Sequence, residues 1–198
     1  MNSKRILLII ALSGFAVSLA LFSPHFKRAL ESDAAPVAAS PLPTYIAEEA
    51  LPLPVRLKIP AIKVDAAIES VGLTKDGAVD APSGPKNAGW FSLGAHPGEI
   101  GSAIIDGHSG WKKGPAVFDT LYKLKKGDKI YVEDETGGTI IFIVREIRKY
   151  NPKADAVEVF SSDDGQAHLN LITCTGFWNK IAKSHSQRLV VFTDKEIP

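Results

Sequence analysis

The chain has 198 residues, with 23 lysines and arginines against 22 aspartates and glutamates, a formal net charge of +1. That balance offers no basic excess for holding nucleic acid and no acidic solvating tail, and 45% hydrophobic with 23% charged residues exclude a wholly disordered chain. A single cysteine, Cys174, excludes an intrachain disulfide and a four-cysteine metal site, and His25, His96, His108, His168 and His185 form no HExxH-type motif.

Residues 1–5, with Lys4 and Arg5, read as a short cytoplasmic amino end. Ile6 to Phe22 carries no charge, and as a helix it spans roughly 25 Å. Residues 6–23 are therefore expected to be a transmembrane signal anchor, single-pass in the cell membrane, with the rest of the chain on the extracellular side. A cleaved signal peptide ending at Ser18-Leu19-Ala20 is the alternative. Residues 24–54 hold Pro24, Pro36, Pro41, Pro43, Pro52 and Pro54 among alanines and read as an extended spacer.

From residue 55 to 198 the pattern is one β-rich domain. Val55 to Ile59 alternates strictly and stops at Pro60, so Val55, Leu57 and Ile59 share one face of a strand. Ala66 to Val71 and Ser102 to Asp106 are further strands. Lys129 to Glu133 and Thr139 to Tyr150 flank Gly137-Gly138 as a hairpin. Leu169 to Thr173 and Leu189 to Thr193 close the series, with helical turns expected at 118–124 and 155–160. About eight short strands with few helices predict an all-β closed or nearly closed barrel, which leaves no exposed edge. No GxGxxG or Walker sequence and no βαβ rhythm is present.

Three residues stand where strands meet loops. Cys174 follows a strand and precedes Thr175-Gly176, a place that exposes a side chain, although a lone cysteine is usually a small buried hydrophobe. His108 ends a strand between Gly107 and Ser109-Gly110, either as an acid–base group or as a surface loop histidine. Arg188 opens the last strand, where irregular alternation leaves its direction open. His96 reads as solvent-facing, His168 as too far along the strand to partner Cys174, and His185 as a weaker rival in the following loop.

Together these segments resemble a known family. Asn170-Leu171-Ile172-Thr173-Cys174 resembles the TLxTC signature of the sortases, cysteine transpeptidases of bacterial surfaces, with Asn170 where the signature has Thr. Asp106-Gly107-His108 looks like the family's catalytic histidine segment, and Arg188, fourteen residues after Cys174, like its catalytic arginine. Phe118 to Asp128 is similar to the family's F-x-x-L-x-x-L-x-x-G-D stretch. Ile59-Pro60-Ala61-Ile62 and Gly89-Trp90-Phe91 look like the domain's start. The compact domain resembles class D, E or F enzymes more than the pilin-assembling class C group.

The resemblance implies a sortase-type eight-stranded β-barrel with short helices, preceded by the membrane helix. It implies cleavage of an LPxTG-like sorting signal on surface proteins, between Thr and Gly, through a thioacyl intermediate. An amine of a peptidoglycan precursor or of another protein would then take the acyl part. Cys174 is the implied nucleophile, His108 the acid and base, and Arg188 the oxyanion donor. Residues 151–167 are implied to line the signal groove, with Val157, Val159 and Phe160 as its apolar floor. No cofactor and no metal is expected, the acidic Asp155, Glu158, Asp163 and Asp164 reading as a solvated run. A cysteine hydrolase on the same fold and a noncatalytic, membrane-tethered binding domain are the rival readings.

Overall fold

The computed structural model describes residues 51–111, 114–181 and 184–197. β1 (Pro54–Ile59) keeps the alternation at Leu57 and Ile59, both fully buried, but a register shift between Pro54 and Arg56 leaves Val55, expected on the same face, exposed. Pro60 has no N–H to donate, so the strand ends there. A 3-10 turn (Pro60–Ile62) follows, closed by Lys63 in the left-handed region at φ 56°. β2 (Val64–Val71) returns antiparallel to β1.

β3 (Ala88–Phe91) then lies parallel to β2, and β4 (Gly101–Gly107) antiparallel to β3. A 3-10 turn (Leu121–Lys123) leads to β5 (Lys129–Asp134) and β6 (Thr139–Tyr150), paired as the expected hairpin. Its turn is held by Asp134, whose carboxylate accepts from the backbone N–H groups of Thr136 and Gly138. A short helix α1 (Val157–Phe160) precedes β7 (Ala167–Asn179) and β8 (Ser184–Lys195).

The strands close in the order β1-β2-β3-β4-β7-β8-β6-β5, with β5 pairing back onto β1. Closure removes every sheet edge and encloses the main core of Leu57, Ile59, Trp90, Ile105, Phe118, Ile130, Phe142, Leu171 and Val191. A second, smaller cluster lies on the outside of the wall: Ile104, Val159, Val190 and Phe192, joined by Phe91, Tyr150, Ala156 and Ile172. It exists because the β6–β7 connection folds α1 back against β4, β7 and β8.

The expected closed eight-stranded barrel is thus present, and the membrane part of the expectation is corrected. Among the described residues no helix is long and apolar enough to cross a membrane. α1 runs 4 residues, where a span needs about 20. Residues 6–23, expected as the transmembrane helix, lie outside the described residues. No described helix therefore carries the expected membrane contact through 6–23, the single-pass topology or the extracellular placement. β3 is a strand that the sequence pattern hides, since Ala88 and Gly89 lack the bulk that marks strands.

Candidate active site

Strand parity decides which side chains reach the site. Odd-numbered residues of β4, β7 and β8 point into the barrel, as with Ala103, Ile105, Leu169, Leu171, Leu189 and Val191. Even-numbered ones point outward: Ile104 and Asp106 on β4, Ile172 and Cys174 on β7, Arg188 and Val190 on β8. The site is therefore built on the outer face of the wall.

Register then brings the candidates into a row. β4 and β7 run parallel, and their last pair is Asp106 with Ile172. Beyond it, Thr173 Oγ1 donates to Gly107 O at 2.6 Å, and Ser109 Oγ donates to Cys174 O. The backbone of His108 passes Cys174 between these two ties, and its side chain lines neither cavity that Cys174 touches. On the other flank Cys174 pairs directly with Arg188 across β7 and β8. Gly107 permits the close passage, because a Cβ there would stand 2.5 Å from Phe118 Cδ2 and 2.7 Å from Val117 Cγ1. Regular pairing breaks after Thr175, where Gly176 takes φ 81°.

The side chains are held unequally. Arg188 Nη1 donates to the carbonyls of His185 (3.3 Å) and Gln187 (3.2 Å), and among the described residues no carboxylate pairs with it. The His108 ring turns toward the β2–β3 connection: Nε2–H donates to Pro82 O at 3.0 Å, and the ring lies 4.9 Å from that of Trp111. Its ring makes no hydrogen bond to Cys174. Cys174 is a free, half-buried thiol. Burial pushes its pKa up, the Arg188 charge opposes that rise, and Asp106 adds to it. Asp106 is itself pushed up to about 7 by burial, against the pull of Arg188 and with a further push from Asp80.

A cavity of about 610 Å³ opens over this row, with Asp106, Cys174 and Arg188 in its lining. Phe91, Ile172 and Val190 provide apolar surface. One wall comes from Leu73, Ala78, Val79 and Ala81, the other from Tyr150, Ala154, Ala156, Val159 and Phe160. Val159 and Phe160 thus stand where the sequence reading put them, whereas Val157 is exposed and outside the lining. Asn170 earns attention here: its Nδ2 donates to Val159 O at 2.7 Å and ties α1 to the wall. A second cavity of about 240 Å³ touches Cys174 from the other side, between Ser109, Asp119, Tyr122, Gly176 and His185.

The remaining histidines are engaged elsewhere. His96, expected to face solvent, is half-buried with its ring 4.5 Å from that of Trp90. His168 belongs to β7 itself and is buried, its Nδ1 2.9 Å from Asp194 and its Nε2 3.0 Å from Asp164. His185 packs edge-on to Trp178 at 5.2 Å. Among the described residues no group of three or more His, Cys, Asp or Glu is placed to hold a metal ion. Sequence reasoning gave Asp106, now in the cavity, no role beside His108, and it missed the β2–β3 connection as the cavity's wall. The first had a signal: two residues before His108 on a strand, Asp106 must share its face.

Known proteins give the same answer as the geometry. The sortase-domain family model matches residues 57–196. Sortase C1 of Streptococcus agalactiae, solved as a complex with MTSET, is similar at 25% identity and a TM-score of 0.58, over 73% of this chain and 67% of that one. Sortase C-1 of Actinomyces oris is similar at 27% identity and 0.58, over 73% and 76%. Sortase A of Corynebacterium diphtheriae is similar at 25% identity and 0.59, over 76% and 64%. None of the curated proteins matches the chain. A family model that spans most of the chain, laid on a closed eight-stranded barrel, shows that the chain belongs to the sortase family, with catalysis of the transpeptidase type.

Proposed function

We propose that residues 55–198 form a cysteine transpeptidase unit that cuts an LPxTG-like sorting signal between Thr and Gly. The observation that carries this reading is the pairing of Cys174 with Arg188 in the lining of a groove, with the His108 backbone passing Cys174 just after β4. Cys174 Sγ attacks the Thr carbonyl carbon. The C–N bond to Gly breaks, His108 gives a proton to the departing amine, and a thioester remains on Cys174. An amine of a peptidoglycan precursor or of a second protein then attacks the thioester, its proton passes to His108, and the thiol is restored.

Arg188 is a fixed cation whose Nη1 is anchored on two backbone carbonyls, so its other N–H groups suit the developing oxyanion. Burial holds the Cys174 thiol protonated at neutral pH. Thiolate must therefore form as substrate binds, with Arg188 favouring it and His108 turning from Pro82 to take the proton. The groove walled by the β6–β7 connection takes the acyl side of the signal. Residues 24–54 serve as a spacer. The finer placement among class D, E or F enzymes rests on the compact domain, with the Ile59-Pro60-Ala61-Ile62 and Gly89-Trp90-Phe91 features pointing to the E or F side, while the similar solved structures are sortases A and C.

Intact-protein mass spectrometry on the full chain tests the reading, with a Leu-Pro-Glu-Thr-Gly peptide, triglycine and a Cys174→Ala control. A Cys174-dependent thioester, followed by peptide joined to triglycine, is expected. Free carboxylate alone would indicate a hydrolase, and a thiol inert to a panel of signal peptides would end the enzyme reading.

A further inference from the structure

Among the described residues that line the large cavity, only Asp106 carries a carboxyl group. Its Oδ1 is buried and no protein donor reaches it. Other carboxylates of this region are used structurally. Glu69 accepts from the Ser83 N–H, the Ser83 hydroxyl and Asn87 Nδ2. Asp119 accepts from the backbone of Gly110 and Ala116. Asp106 braces nothing of this kind, and Arg188 spends Nη1 on backbone carbonyls and forms no ion pair with it. A buried acceptor without a donor is costly to keep. Nothing in the proposed chemistry of Cys174, His108 and Arg188 requires it.

Its position says what it can meet. Asp106 stands one step deeper along β4 than His108, on the same outward face, with its charge felt by both Cys174 and Arg188. The substrate residue whose carbonyl lies over Cys174 must therefore extend its side chain toward Asp106 or toward the apolar walls of Phe91, Ile172 and Val190. An apolar side chain leaves Oδ1 unsatisfied. A hydroxyl satisfies it, and the carboxyl pairs with a hydroxyl in either protonation state.

We propose that Asp106 is a specificity-determining residue, accepting a hydrogen bond from the side chain of the residue whose carbonyl Cys174 attacks and so selecting a hydroxyl there over an apolar side chain of equal shape. The inference rests on the transpeptidase reading of this groove. It is tested by calorimetry on the full chain carrying Cys174→Ala, which stops turnover, with Leu-Pro-Glu-Thr-Gly and Leu-Pro-Glu-Val-Gly peptides. The Thr peptide should bind about tenfold tighter than the Val peptide. Adding Asp106→Asn, which keeps an acceptor oxygen, should hold most of that ratio. Adding Asp106→Leu or Asp106→Ala should bring it to about one. A ratio unchanged in both apolar variants, or no binding of either peptide, overturns the inference. A Thr preference that both apolar variants abolish, together with no thioester on intact Cys174, would instead sink the transpeptidase reading and leave the recognition role standing.

Discussion

Replacing Asp106 by Asn should stabilise the protein, and by more as the pH rises. The unfolded carboxyl titrates at its ordinary value of 3.8, the folded one at about 7, because burial penalises the charged form. Between those values the folded state retains a proton that the unfolded chain has released. Stability from this group is therefore full below the unfolded pKa and is lost as the pH rises through the folded one. The gap of about 3 units amounts to roughly 4 kcal/mol above pH 8, by the usual 1.36 kcal/mol per unit. At pH 5 the same arithmetic leaves about 1.7 kcal/mol, so the advantage of Asp106→Asn should widen by about 2.5 kcal/mol from pH 5 to pH 8. Urea unfolding of the two full-length proteins at both pH values measures this, the difference between them cancelling every group they share. A stability gap that stays constant across that range would refute the burial argument. It would mean that the carboxyl is solvated and ionises as in the unfolded chain.

Other consequences follow from the same geometry. Arg188→Lys keeps the charge but loses the planar fork, and kcat/KM should fall about 10²- to 10³-fold with unfolding unchanged; an active Lys variant would remove Arg188 from oxyanion binding. Gly107→Ala forces a methyl against Phe118 and Val117 and should cost about 1–3 kcal/mol in urea unfolding, whereas an unchanged midpoint would show that the β4 end can shift. Asn170→Leu leaves Val159 O without its donor and should cost about 1–3 kcal/mol. Amide exchange at 157–160 should rise in that variant, and equal protection would mean that α1 is held by its apolar contacts alone.

Strand alternation made much of the barrel readable. Leu57 and Ile59 are buried as their spacing required, and the β5–β6 hairpin follows its Gly137-Gly138 turn. The reach of β7 was not readable. Leu169 to Thr173 looks like a complete strand, yet pairing with β8 carries it past Cys174 to Thr175 and, after a bulge, to Asn179. That extension depends on partners fourteen and fewer residues away, not on the propensity of Thr175-Gly176. Cys174 and Arg188 stood out through the family signature, but both were expected at strand ends and lie instead inside the longer β7 and β8. The direction of Arg188 was not legible, because it is fixed by register with Cys174. His168 shares the parity of Cys174, but no local pattern foretells the carboxylates of Asp164 and Asp194 that bracket its ring.

The row of three residues is assembled from connections of very different length. Cys174 and Arg188 sit fourteen residues apart on adjacent antiparallel strands. His108 reaches the cysteine only through the parallel pairing of β4 with β7, whose tie from Thr173 to Gly107 spans 66 residues. Closing the longer loop costs about 1.4 kcal/mol more entropy than the shorter, and parallel pairing of distant strands is slow to form. A chain still folding can thus unite its thiol with the guanidinium while the imidazole is absent. It then holds a nucleophile with no proton donor for a leaving amine. On the proposed chemistry, cleavage therefore waits for the closed barrel, since only the β4–β7 pairing brings the His108 segment to the thiol's strand.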